Sequence, residues 1–160
     1  KEADMSIAHT SRILIAKHED RIERHGLEGF DEPLHFGIHG GIKHFYQEKY
    51  GREITGPEYP ATLDHMIAGA GVLLGTFGAA LDVREIKSAE NLVADVEGDI
   101  EDVDGVLKIT RIRLHYRLTI PKGSRDKVDR AFETYAEKCP AYQSVKGCID
   151  CTWDVEVTEE

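Results

Sequence analysis

Apolar and polar positions alternate most cleanly over residues 107–120. One parity holds Leu107, Ile109, Arg111, Arg113, His115, Arg117 and Thr119; the other holds Lys108, Thr110, Ile112, Leu114, Tyr116, Leu118 and Ile120. From Ile112 the second parity is continuously apolar. That predicts an antiparallel strand with one buried and one wet face. Pro121 stops it, because proline lacks an amide donor. Residues 90–99 alternate too, with Leu92, Ala94 and Val96 against Val93, Asp95 and Glu97, and predict another strand. A turn is expected over 102–105. A final strand is expected over 149–157, where Ile149, Cys151, Trp153, Val155 and Val157 share one parity.

Between the last two strands the period changes. Val128, Ala131, Phe132, Tyr135 and Ala136 recur at helical spacing, so an amphipathic helix is predicted over 125–138, opened by Gly123 or Ser124. Cys139-Pro140 ends it, and 141–146 suits a further short turn of helix. The stretch 62–81 is different. Thr62 suits an N-cap, Asp64 and His65 fall in the first turn, and Met66 to Gly75 is apolar or glycine throughout. A helix apolar all round is a central one. Each of its glycines costs roughly 1 kcal/mol relative to alanine. That cost points to close packing against a sheet or a second copy of the helix. Residues 66–81 fall short of the about 20 needed to cross a bilayer.

The N-terminal part reads as strands. Ile13-Leu14-Ile15 and residues 21–24 predict a hairpin about the polar turn His18-Glu19-Asp20. Asp31-Glu32-Pro33 breaks the chain, 34–38 suits a third strand, and His39-Gly40-Gly41 ends it. A short helix over 42–49 and a loop to residue 60 follow. The expectation is one domain over 1–160: a β region at 10–41, an insertion at 42–60, the central helix at 62–81 and a β-β-α-β region at 90–157. Strands and helices in this order make an α+β fold with an antiparallel sheet.

The chain has 160 residues, 41% of them hydrophobic and 31% charged, which suits a globular protein. A chain this long needs neither disulfide nor metal simply to fold. Lys and Arg number 20 against 30 Asp and Glu, a formal charge of −10. Such a chain is repelled by phosphate backbones, so nucleic acid is not expected as a partner. The charged start, residues 1–4, leads into no apolar run of signal-peptide length. No membrane association is expected. The three cysteines, an odd number, lie at 139, 148 and 151. A disulfide-stapled secreted domain normally shows more and an even count. The expected location is cytoplasmic.

Those thiols are the first candidates for chemistry. Cys139 is either a small buried hydrophobe or a reactive thiol, the latter requiring a following helix or a nearby cation. Cys148-x-x-Cys151 could be structural, could pair with Cys139, or could hold half of a metal site. Residues three apart on a strand face opposite ways, and no histidine follows His115, so no metal is assigned. His35, His39 and His44 lack helical i,i+4 spacing and read as surface or interface histidines. No cofactor motif is present: there is no GxGxxG, no P-loop and no Gly-x-Ser-x-Gly elbow.

Three features together resemble a known family. Asp31-Glu32-Pro33 precedes a Gly-Gly. A small-residue helix follows, Asp64-His-Met-Ile-Ala-Gly-Ala-Gly-Val-Leu-Leu. The amphipathic helix ends in Cys139-Pro-Ala-Tyr-Gln-Ser-Val-Lys-Gly. The chain, over residues 10–157, resembles the OsmC/Ohr family of osmotically inducible and organic-hydroperoxide-resistance proteins. The resemblance implies antiparallel sheets wrapped around central helices in an intertwined homodimer. It also implies a two-thiol peroxidase, with an attacking thiolate on the central helix and a resolving thiol in the Cys-Pro segment. An arginine and a carboxylate would hold the first thiol ionised. Cys139 matches the resolving thiol and Asp64 the carboxylate; Arg12, Arg21 and Arg24 compete for the arginine. The attacking position falls at Leu74, or at Leu73 in a register one earlier, and leucine cannot attack a peroxide.

Two functions are therefore expected. In one, Cys139 reduces a hydroperoxide, Cys148 or Cys151 resolves it, and a dithiol reductant restores the pair. In the other, peroxidase chemistry is absent and Leu73 and Leu74 line a dimer-interface pocket for a small apolar or acyl ligand. A partner-binding dimer without either activity is the blander option.

Overall fold

The computed structural model describes residues 6–19, 21–27 and 29–160. The charged start and the turn residue Asp20 lie outside them. The chain, read above as one domain, divides into two compact units, Lys1–Thr62 and Leu63–Glu160.

The first unit is a three-stranded antiparallel sheet and one helix. Strands β1 (Ile13–Lys17), β2 (Ile22–Leu27) and β3 (Leu34–Phe36) lie in that order, with a register shift at Leu14/Ile15. Helix α1 (Gly40–Tyr50) ends on Gly51, whose φ of 61° suits a left-handed cap that glycine adopts without penalty. The loop after it is pinned at three points. The Ile54 amide donates to Gln47 Oε1 (3.1 Å), Lys43 pairs with Glu58 (3.1 Å), and the Gly37 amide donates to the Pro60 carbonyl (2.9 Å). A Cβ at Gly37 would come within 2.9 Å of Tyr59 Cβ, so this close approach needs glycine. Ala61 is the one buried hydrophobic among the unit's described residues, and Ile13, Leu14 and Ile15 are exposed.

The second unit is built on the sheet β4 (Leu92–Val103), β5 (Val106–Ile120) and β6 (Asp150–Glu159). β4 and β5 form a hairpin closed by Asp102 Oδ1, which accepts from the Gly105 amide at 2.7 Å. The register shifts between Asp99 and Ile100: Asp99 faces Arg111, but Ile100 faces Ile109. Thr110 is the extra residue, a β-bulge. It moves Ile109 from the arginine face to the core, against the strict alternation read from the sequence.

The expectation of an antiparallel sheet fails at the last strand. β6 runs parallel to β5, with Arg111 opposite Asp150 and Leu118 opposite Val157. The chain leaves β5 at Ile120 and returns through α4 (Arg125–Thr134), a 3₁₀ turn (Ala136–Lys138) and α5 (Pro140–Val145). That crossover brings it back to the end where β5 began.

The central helix is broken. It forms α2 (Thr62–Gly71) and α3 (Leu73–Asp82), with Val72 between them. Residues Thr62–Asp82 together are long and apolar enough to cross a membrane by length and composition, contrary to the shorter span read above. Here α3 instead buries Leu73, Phe77, Gly78 and Leu81 in the core. Ile112, Leu114, Tyr116 and Leu118 of β5 and Val128 and Ala131 of α4 complete that core.

Candidate functional site

The apolar face of the sheet is covered unevenly. β5 presents side chains buried in the core. The inward residues of β4 (Leu92, Ala94, Val96, Gly98, Ile100) are only half-buried. Between β4 and the α2–α3 helices lies a groove of about 690 Å³. Its walls are Ile67, Val72 and Leu74 from the helices and Ala94, Val96 and Ile100 from the strand. Asp64 and Asp95 add carboxylates, and among the described residues no cysteine, histidine or arginine lines it. Ile67 seats over Gly98, and Gly71 lets the Val96 side chain approach to 3.0 Å from where a Cβ would stand. Two of the helix glycines thus admit side chains of β4 and of the following loop: Gly71 meets Val96 and Gly78 meets Ser88. Within this chain none of them admits the second backbone that their cost suggested.

The two candidate pocket leucines separate. Leu74 lines the groove, whereas Leu73 is 1% exposed and belongs to the core, since successive helical positions point about 100° apart. The sequence reading missed Val72. It sits at the helix break, is 63% exposed and lines the groove. Its flanking glycines at 69, 71 and 75 were the available signal. Asp64 lies in the first turn of α2 at the groove.

The thiols lie elsewhere and are free. Cys139 follows the 3₁₀ turn, caps α5 with an extended backbone, and is 2% exposed. Its neighbours are two phenols. Tyr135 Oη donates to Tyr116 Oη at 3.2 Å, and burial pushes Tyr116 up to about 12 and Tyr135 further up, each also raised by the charge of a Cys139 thiolate. Cys148 is exposed in the turn after α5 and its Sγ lies 3.3 Å from the Val145 carbonyl. Cys151 is half-buried on β6, and burial raises its thiol above its ordinary value, helped by Asp150 and Cys148.

The candidate arginines lie in the first unit. Arg21 Nε meets Glu23 Oε2 at 3.3 Å, and the same oxygen meets His35 Nε2 at 2.8 Å. Arg24 Nη2 donates to the Glu32 carbonyl at 3.0 Å. Arg12 lines a shallow hollow with Phe30. In the second unit the wet face of the sheet is a ladder of cross-strand pairs. Arg113 is bidentate to Asp99 (2.7 Å for each Nη), Arg111 also reaches Asp99 (2.9 Å), and Arg117 reaches Asp95 (2.9 Å). His115 bonds to Asp154 and lies 3.6 Å from Glu156. Among the described residues no group of three or more His, Cys, Asp or Glu side chains is placed to hold a metal ion.

Residues 65–154 match the family model of the OsmC-like proteins. That match runs from within α2 into β6, and contains all three cysteines and the groove residues other than Asp64. Among solved structures the chain is similar to an OsmC-like protein from Mycoplasma pneumoniae, with TM-score 0.69 and 16% identity over 96% of this chain and 100% of that one. It is also similar to an organic hydroperoxide resistance protein OsmC from Legionella pneumophila, with TM-score 0.62 and 14% identity over 95% of this chain and 100% of that one. An OsmC-like protein of unknown function from Vibrio cholerae gives TM-score 0.67 and 7% identity over 92% and 99%. No curated protein matches the sequence. Identities this low speak for the fold.

Proposed function

Because the chain belongs to the OsmC-like protein family, we propose that it is a cytoplasmic, stress-related member of that family that works by binding a small apolar or acyl ligand in the groove between β4 and α2–α3. One observation carries this reading. The groove presents Leu74 and Val72 and no thiol, while Cys139 is buried in the core. A ligand placing about 200 Å² of apolar surface there would gain roughly 5 kcal/mol before the cost of immobilisation.

The same surface supports a homodimer. The half-buried face of β4 and the exposed side chains of Met66 and Val72 leave apolar surface for a second copy to cover. The first unit, with Ala61 alone buried among its described hydrophobics, gains a core the same way. Sedimentation equilibrium should give twice the chain mass; a monomer at micromolar concentration would contradict the dimer.

A second reading is favoured by the exposure of Cys148 beside Cys151. A thiolate would attack the O–O bond of a hydroperoxide, releasing the alcohol and leaving a sulfenic acid. The second thiol would expel water and close a disulfide, which a dithiol reductant would reopen. Cys139 enters this chemistry only if the core opens. Consumption of cumene hydroperoxide with a dithiol separates the two readings. Equal, background rates for wild type, Cys139→Ser and Cys148→Ser are expected. A rate well above background in wild type that either serine abolishes would establish the thiol reading instead.

A further inference from the structure

The sheet of the second unit has two outer strands. β4 borders the groove and the apolar surface left for a second copy. β6 is the other, two strand spacings or roughly 10 Å away. Its inward side chains already have cover within this chain: the Trp153 ring lies 5.0 Å from Tyr142 and 6.0 Å from Tyr135. Its outer edge has none. β6 pairs with β5 from Asp150 to Glu159, and among the described residues no strand pairs with its other side. Every second residue there points its amide and carbonyl away from the sheet.

Such edges are ordinarily blunted by shortness, a proline, a bulge or a lysine. β6 has none of these. It is 10 residues long, contains no Pro or Lys, and keeps one register with β5 throughout. What it carries is negative charge. Residues 147–160 include Asp150, Asp154, Glu156, Glu159 and Glu160 and no Lys or Arg. The arginines of the wet face are engaged by β4: Arg111 and Arg113 by Asp99, and Arg117 by Asp95. Asp154 and Glu156 have His115 as their shared partner, one imidazole between two carboxylates. Two copies of this edge would set like charges opposite each other, which destabilises a strand pair, so a second β6 is not the occupant.

The alternation of β6 sets what fits beside it. Asp150, Asp154 and Glu156 are exposed on the wet side, and Trp153, Val155 and Val157 are half-buried on the other. A strand laid alongside has the same period of two, so its side chains meet the carboxylates and the apolar row in turn. We propose that the free edge of β6 takes up an extended segment of a partner protein in which basic and apolar residues alternate, the basic ones beside Asp154 and Glu156. Main-chain hydrogen bonds form the seat, and the carboxylates choose the occupant. The edge shares no residue with the α2–α3 groove.

Fluorescence anisotropy of the full chain with a labelled peptide of alternating Lys and Val, as long as β6, tests it. The first control peptide has the same composition with all Lys before all Val. The second is the alternating peptide fully N-methylated, which keeps its charges and has no amide donor. The alternating peptide should bind roughly tenfold more tightly than either control. Asp154→Lys with Glu156→Lys should lose that advantage. Asp126→Lys with Glu133→Lys makes the same change in net charge on the exposed side of α4 and should keep it. No binding of the alternating peptide, equal binding of either control peptide, or equal losses in the two double variants would each overturn the assignment.

Discussion

Ile67 of α2 sits directly over Gly98 of β4: a Cβ on Gly98 would lie 2.3 Å from Ile67 Cδ1 and 2.7 Å from its Cγ1. The contact sets how closely helix and strand approach, and so fixes one end of the groove. Gly98→Ala forces Ile67 off its rotamer or moves the helix. The expected destabilisation is about 1–3 kcal/mol, read as a lower urea midpoint. Pairing it with Ile67→Val should recover part of the loss, because the clash is with that side chain.

The phenol pair in the core gives a second expectation. Tyr116→Phe leaves the Tyr135 hydroxyl buried without its acceptor at 3.2 Å. That should cost about 1–3 kcal/mol. The double change Tyr116→Phe with Tyr135→Phe should cost less than the sum of the single changes, as a double-mutant cycle in urea will show. Spectrophotometric titration should find both phenols protonated at pH 11 in the folded protein.

The wet face of the sheet makes stability depend on pH from both sides. The hydrogen bond that His115 donates to Asp154 raises the imidazole above its ordinary 6.5, with Glu156 adding to it. A raised histidine contributes stability that is full below 6.5 and is lost as pH rises through the folded value. Asp99 is held down at about 2 by its hydrogen bond from Arg113. Its contribution is present above 3.8 and is lost as pH falls toward 2. Urea midpoints should therefore decline above pH 6.5 in wild type. In Asp154→Asn that alkaline decline should flatten. Both groups are solvent-exposed, so added salt should shrink both effects.

Much of this layout was legible in the alternation of β5, the apolar run of 62–81 and the helical spacing of Val128, Ala131 and Tyr135. Those patterns are local, and burial enforces them. What escaped was set by geometry between segments. The direction of β6 leaves its parity unchanged, so parallel and antiparallel pairing read alike. The bulge at Thr110 is a single extra residue with no composition signal. The break at Val72 falls between two equally apolar turns.

The candidate site was partly legible. Leu74 is expected at a pocket and Asp64 as the carboxylate that the family resemblance implies; the structure puts both along the groove. Leu73 is expected at the pocket too, but it enters the core. A cysteine is as much at home in a core as in an active site, so the sequence could not decide where Cys139 would lie. Arg111, Arg113 and Arg117 were read on one strand face, but their acidic partners on β4 become visible only with the register.

If the apolar groove, and not the thiols, is where this protein works, a ligand should travel with the groove and be indifferent to Cys139. Native mass spectrometry of freshly purified protein tests it most directly. A small apolar or acyl molecule is expected to be retained by wild type and by Cys139→Ala, and to be absent from Val72→Glu. A wild type that is consistently empty, or a ligand lost with Cys139→Ala and kept by Val72→Glu, would contradict it.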